Sequence, residues 1–329
     1  MQIGLTFDLQ EAQAPDSGAR PDAYAEFDTE ESIGYLEAAL RDLGHDARRI
    51  GDLRALMDFL RGGERVDLVF NMAEGRGSRS REAHVPALLE AYAIPYTGSD
   101  PLTLSLCLDK AATKRLWQWA GLPTPAFVVA DDVTILAGNG LPPYPLFVKP
   151  LHEGTSKGIN GASIVTSPEA LAERVAWIAA TYRQPALIEP FLSGREFSVG
   201  ILGTGARARV IGVTEICPRA ASGVADFHEK QRWDSAITGV FAPLPASPLR
   251  EQLTALALQA YRVLECRDLG RVDLRLDADG APQLLELNPI VGLYPHSSIM
   301  PILARQAGMS FNALVAAIVA EARARCGKE

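Results

Sequence analysis

Arg271-Val272-Asp273-Leu274-Arg275-Leu276-Asp277-Ala278-Asp279-Gly280-Ala281-Pro282-Gln283-Leu284-Leu285-Glu286-Leu287-Asn288 is the stretch on which the reading of this chain turns. Alternating apolar and polar residues flank Asp279-Gly280, a strong short turn signal, so an antiparallel hairpin is expected. A turn centred there sets Asp273 opposite Glu286. Period-2 alternation gives Arg271 and Asp273 one face of their strand, and Glu286 and Asn288 one face of theirs. Leu274, Leu276, Leu285 and Leu287 are expected to bury the other face. Two carboxylates opposed across a strand pair repel each other, and a bound cation turns that liability into a site. Asp, Glu and Asn offer hard oxygen donors, which suit Mg²⁺ and not zinc. The competing reading, a hairpin with hydrated carboxylates, fits less well with leucines on one face and Arg271 and Asn288 completing a polar cluster on the other.

Upstream, Tyr144-Pro145-Leu146-Phe147-Val148-Lys149 reads as a strand ending in a lysine, followed by Pro150-Leu151-His152-Glu153-Gly154-Thr155-Ser156-Lys157-Gly158. Backbone N–H groups and hydroxyls in such a loop can cradle phosphate oxygens, although the spacing is not that of a P-loop. Taken alone, the segment reads equally as an ordinary β-hairpin loop. Glu189 closes another strand and Glu196 opens the next, on either side of Phe191-Leu192-Ser193-Gly194. Two acids at an apolar crevice can bind an adenine amine and a ribose hydroxyl pair; on their own they read as exposed turn carboxylates. Six of the 32 basic residues are lysines, and five of those six fall between Lys110 and Lys230. A compact ammonium differs from the Arg fork as a point charge on phosphate.

The 329 residues are 47% apolar, enough for folded cores, and the net charge of −8 argues against a general nucleic-acid or membrane-surface binder. No apolar run approaches a membrane span, and the start, Met1-Gln2-Ile3-Gly4-Leu5-Thr6-Phe7, reads as a strand rather than a signal peptide. Cys107, Cys217, Cys266 and Cys326 lack metal-type spacing and are expected as thiols in a reducing cytoplasm. Strand and helix alternate over residues 1–104. A strand lies at Ile3–Phe7, and a helix capped at Asp28-Thr29-Glu30-Glu31 runs to Gly44. A strand at Val66–Phe70, a helix from Glu82 to Tyr92 and a return at Ile94–Gly98 follow. This is the pattern of a small open parallel sheet. A helix over Asp109–Ala120 then leads to strands at Leu146–Lys149, Ala162–Val165 and Ala186–Glu189, with a helix from Pro168. Residues 216–247 lack a period and read as a functional loop. Helices at Ile299–Ala307 and Phe311–Arg325 end the chain.

Taken in order, these segments resemble the ATP-grasp fold and, within it, the D-alanine–D-alanine ligase family, over roughly residues 66–315. The resemblance is strongest at Pro95-Tyr96-Thr97-Gly98-Ser99, Leu108-Asp109-Lys110 with Lys114, Lys149–Gly158, Phe191-Leu192-Ser193-Gly194 with Glu196, and Arg271 through Ser297. It implies an α/β protein of three parts: an N-terminal parallel domain at 1–104, a central ATP-grasp subdomain at 105–188 and a C-terminal one at 189–329. It implies that Lys114 and Lys149 hold the ATP phosphates, with Glu153, Thr155, Ser156 and Gly158 in the phosphate loop. Glu189, Glu196, Phe191 and Leu192 would face adenine and ribose. Lys230 would reach the γ-phosphate from a loop. Asp273, Glu286 and Asn288 would ligate Mg²⁺, two ions with Mn²⁺ as a substitute. Arg271 and the Gly292 amide would steady an oxyanion, and Ser297 would bind the acceptor carboxylate. The implied enzyme is an ADP-forming, cytoplasmic acid–amine ligase working through an acyl phosphate on small-molecule acids and amines, homodimeric by family analogy.

The departures bear on substrate. Phe7-Asp8-Leu9-Gln10-Glu11 stands where the family has a Gly-Gly-rich segment, and Asn71-Met72-Ala73-Glu74-Gly75-Arg76-Gly77 replaces its His-Gly stretch. Gln231 follows the loop lysine in place of tyrosine, Thr155 replaces a serine, and Pro289-Ile290-Val291 precedes Gly292. The expectation is therefore a ligase for an acid or amine other than D-alanine. The alternatives are D-alanine–D-alanine ligation itself and, from another class, an inactive ATP-binding sensor or scaffold.

Overall fold

Three sheets carry the molecule, described here by a computed structural model for residues 1–12, 20, 22–133, 140–217 and 240–327. The first contains β1 (Gln2–Thr6), β2 (Asp46–Gly51) and β3 (Leu68–Asn71), all parallel in the order β2-β1-β3. This is the expected open parallel sheet, with Tyr96 returning to it through a single bridge to Val69. Helix α1 (Glu30–Asp42) starts one residue later than the sequence suggested. Its N-cap is Thr29, whose side chain accepts from the Ser32 amide, while Ser32 Oγ donates to Asp28.

The second sheet holds β4 (Val128–Ala130), β5 (Leu146–Pro150), β6 (Ile164–Val165) and β7 (Ala186–Pro190), antiparallel in the order β4-β7-β5-β6. The third holds β8 (Glu196–Leu202), β9 (Arg209–Ile216), β10 (Phe241–Pro243), β11 (Leu269–Leu276) and β12 (Pro282–Asn288), antiparallel in the order β10-β9-β8-β11-β12. Ladder bonds leave both sheets with one apolar face. Val148, Ile188 and Ile178 fill the core of the second, and Phe197, Val272, Leu274 and Tyr261 that of the third. The core of the first sheet is completed from the far end of the chain. Ile3, Leu5, Leu36 and Phe70 pack with Leu314, Val315 and Ile318 of the helix Phe311–Arg325. We propose a three-part division at 1–104, 105–188 and 189–329, one sheet to each part, with β7 straddling the second boundary.

Candidate active site

The β11–β12 hairpin has the expected register, with Arg271 paired to Asn288 and Asp273 to Glu286. A bulge follows Asp273, and it corrects one expectation: Leu285 is the extra residue and lines a cleft, while Leu284 takes the fully buried position. Asp273 is 8% exposed and held by four donors. Arg271 grips it with Nε and Nη2 at 2.9 and 2.8 Å, Ser198 Oγ donates at 2.5 Å, and Asn288 Nδ2 donates at 3.1 Å. Burial works against the Arg271 charge, but Asp273 and then Glu286 outweigh it and hold the guanidinium above its ordinary pKa. Glu286 in turn lies 3.5 Å from Lys110 Nζ. The carboxylates that oppose each other are thus each neutralised by a protein cation. Their donor set, two carboxylates and an amide oxygen, fits a hard divalent ion chemically. Among the described residues, no group of three or more His, Cys, Asp and Glu side chains is arranged to hold a metal.

A narrow cleft between the second and third sheets gathers Lys149, Ser156, Glu189, Phe191, Leu192, Glu196, Asp273 and Glu286. Phe147, Phe191 and Leu285 give it apolar walls, and the Arg275 guanidinium lies 5.4 Å over the Phe191 ring and 3.2 Å from Glu196. Glu189 is buried between two lysines, with Oε1 at 3.4 Å from both Lys114 and Lys149. Lys114 is wholly buried, bonded to Thr124 Oγ1 at 2.7 Å, and lines neither cleft. Burial presses its ammonium down to about 8 against the pull of Glu189. Lys149 is raised instead, because Glu189 and Glu286 together overcome its burial. The Phe191 amide donates to the Pro145 carbonyl at 2.9 Å, so that N–H is committed to the fold rather than offered to a ligand.

The loop after β5 is bent hard. Thr155 and Ser156 both sit in the left-handed region, at φ +48° and +57°. A β-branched residue there is a strained outlier of the kind found at ligand clamps. Gly158 departs from its expected role. Its amide donates to Asp22 at 3.1 Å, and a Cβ on it would stand 2.7 Å from Pro150, so it permits the turn and is turned away from the cleft. Glu26 ties the loop to the N-terminal segment. It accepts from the Gly154 amide and Lys157 Nζ, each at 2.7 Å, and pairs with Arg81 at 3.0 Å. Glu153 is likewise engaged, with Lys157 and with Gln184 at 2.7 Å.

Beyond Glu286 opens a larger cleft of ≈ 640 Å³, lined by Thr155, Arg271, Asn288, Gly292 and Ser297. Glu286 borders both clefts. The site residues Arg271, Gly292 and Ser297 therefore face one space, and Lys149, Glu189 and Glu196 the other. Lys230 lies outside the described residues. The site also contains residues that the sequence did not single out as its members. Lys110, next to a helix-capping aspartate, was signalled by the scarcity of lysine and by the Leu108-Asp109-Lys110 segment, but was given no role in the site. Ser198 could be found only from the register of β8 against Asp273.

This is the architecture of ATP-grasp enzymes: a narrow cleft between two antiparallel sheets, bordered at Glu286 by a second, polar one. The crystal structure titled D-alanine–D-alanine ligase from Bacillus anthracis complexed with ATP shares the fold. Its TM-score is 0.72, covering 100% of this chain and 99% of that one, at 20% identity. Residues 116–320 match the family described as D-ala D-ala ligase C-terminus. A curated D-alanine–D-alanine ligase of Bordetella pertussis is 38% identical over 291 residues, spanning 87% of this chain and 85% of its own. One of Halorhodospira halophila is 37% identical over 294 residues, spanning 88% and 90%. The chain belongs to the D-alanine–D-alanine ligase family, and it is an ATP-dependent ligase.

Proposed function

We propose that the chain joins a carboxylate to an amine through an acyl phosphate, on an acid or amine other than D-alanine. The observation that carries this is Glu286 on the wall common to the two clefts. A γ-phosphate bound in one would lie beside a carboxylate bound in the other. A carboxylate oxygen attacks the γ-phosphorus, the bond to the β–γ bridging oxygen breaks, and ADP leaves. The amine nitrogen then attacks the acyl carbon, its proton is lost, and phosphate departs. Arg271 and the Gly292 amide are assigned to the oxyanion, and Ser297 to the acceptor carboxylate. Lys149, Thr155 and Ser156 are assigned to the phosphates, with Lys114 acting through Glu189. Lys230 is assigned to the γ-phosphate from the sequence. Asp273, Glu286 and Asn288 would hold Mg²⁺, which would supply charge neutralisation on the phosphates. The reaction is placed in the cytoplasm, where ATP is, with small molecules as partners.

The departure in substrate is supported by Asp8, which occupies the altered N-terminal segment and accepts from the Gly75 amide at 2.9 Å in the altered Asn71–Gly77 stretch. The names of the relatives favour the second reading, D-alanine as both substrates. ADP release screened over single and paired amino acids, with hydroxylamine trapping of the acyl phosphate, decides. Release and a hydroxamate are expected with an acid other than D-alanine. Dipeptide formed from D-alanine alone establishes the second reading, and ATP bound without turnover on any pair contradicts both.

A further inference from the structure

The larger cleft is strongly acidic on its N-terminal side, and its carboxylates are not all spent. Glu26 and Glu153 neutralise Arg81 and Lys157, and Glu286 faces Lys110. Asp28, Glu31, Glu74 and Glu82 remain on the wall. Asp28 has the Ser32 hydroxyl. Glu82, in the one-turn helix Arg81–Ala83, is 7% exposed and lines the cleft with no hydrogen bond or ion pair from its side chain among the described residues. Glu74, three residues beyond the end of β3, lines the same cleft, and Glu82 is the foremost charge acting on Glu74 after burial itself. The cation nearest in effect to both is Arg81, whose guanidinium is committed to Glu26 and to the His152 carbonyl at 3.0 Å. Burial pushes Asp28 and Glu82 up to about 7 and Glu74 well above the carboxylate range. A buried carboxylate with no partner stays ionised only when a cation reaches it.

We infer that this wall recognises a substrate carrying a second cationic group, a basic amino acid or a diamine, with that group between Glu74 and Glu82. A zwitterion such as alanine brings one ammonium and one carboxylate, and so leaves the paired glutamates unanswered. The inference rests on the ligase reading for the place of the reacting carboxylate or amine, not for the charge of the wall.

Equilibrium binding by calorimetry, in the presence of a non-hydrolysable ATP analogue and Mg²⁺, tests it. The probes are both enantiomers of lysine and ornithine and 1,4-diaminobutane, against both enantiomers of norleucine and butylamine. The dications are expected to bind at least about tenfold more tightly than their neutral-tailed isosteres. Glu82→Gln, which mimics the protonated side chain and so preserves the fold, is expected to erase that preference while leaving analogue affinity unchanged. Equal binding of charged and neutral probes, or a preference that survives both Glu82→Gln and Glu74→Gln, overturns the inference. ADP release is measured on the same probes. Discrimination in binding with no ADP from any acid–amine pair would overturn the ligase reading alone. ADP release from neutral acids with no discrimination would overturn the inference alone.

Discussion

Replacing Glu286 by Gln keeps the side chain's shape and removes the charge that faces Lys110 across 3.5 Å. Turnover is expected to vanish at ordinary Mg²⁺ while the fold survives; near-normal rates would remove Glu286 from the site. Glu82 makes a pH prediction. Its folded pKa of about 7 stands above the ordinary 4.5, so the folded chain holds a proton that the unfolded chain releases across that window. The stability it contributes is complete below about 4.5 and is lost as pH rises through about 7. Glu82→Gln should therefore raise the denaturation midpoint more at pH 8 than at pH 5, and a shift equal at both would be the wrong sign of evidence. Glu286 was legible in the sequence from its place in the hairpin, whereas the burial of Glu82 was not. Its titration is set by burial and by charges distant in sequence, Glu26 and Lys110 among them, 56 and 28 positions away.

At the scale of elements, the hairpin was readable because Asp279-Gly280 fixes a turn and the leucines alternate about it. Its bulge was not, since one extra residue leaves no mark on composition, and Leu285 moved from the expected core to the cleft. The strand Asp46–Gly51 was missed for a different reason. It is an edge strand carrying Arg48 and Arg49 toward solvent, so it shows no apolar alternation. The phosphate loop was recognised by type but not by its tether. Glu26→Gln leaves Lys157 and Arg81 short of a buried counter-charge and should cost about 3 kcal/mol, measured by urea unfolding. It should also raise the KM for ATP, because the Gly154 amide loses its ionised acceptor. An unchanged KM would show that the tether is not coupled to the nucleotide. Gly158→Ala, with φ +72° and a Cβ 2.7 Å from Pro150, should lose about 1–3 kcal/mol.

The whole molecule is closed by its two ends. The first sheet shares its core with the helix Phe311–Arg325, an arrangement that periodicity along the chain cannot reveal because both surfaces simply read as apolar faces. Ile318→Ala should cost about 2–5 kcal/mol and lower a single unfolding transition. Early melting of the last helix alone would show that the core is not shared. The order of the motif-bearing segments between residues 66 and 315 was legible, because each carries a turn, a capping residue or a charged strand end, whereas the helix Pro248–Val263 and the short strands Val128–Ala130 and Phe241–Pro243 were not read. On the proposed reading, substrate choice is spread over Asp28, Glu74 and Glu82, of which Glu74 lies in a stretch where the chain departs from its family. The central claim is that the triphosphate lies between Lys149 and the Asp273–Glu286 pair, beside Arg271. A crystal structure with a non-hydrolysable ATP analogue and Mg²⁺ tests it most directly. The account predicts the γ-phosphate and a metal ion against Asp273 and Glu286, with Arg271 released from Asp273. A nucleotide in another cleft, or in this one with Asp273 still clasped by Arg271 and no metal beside it, would contradict it.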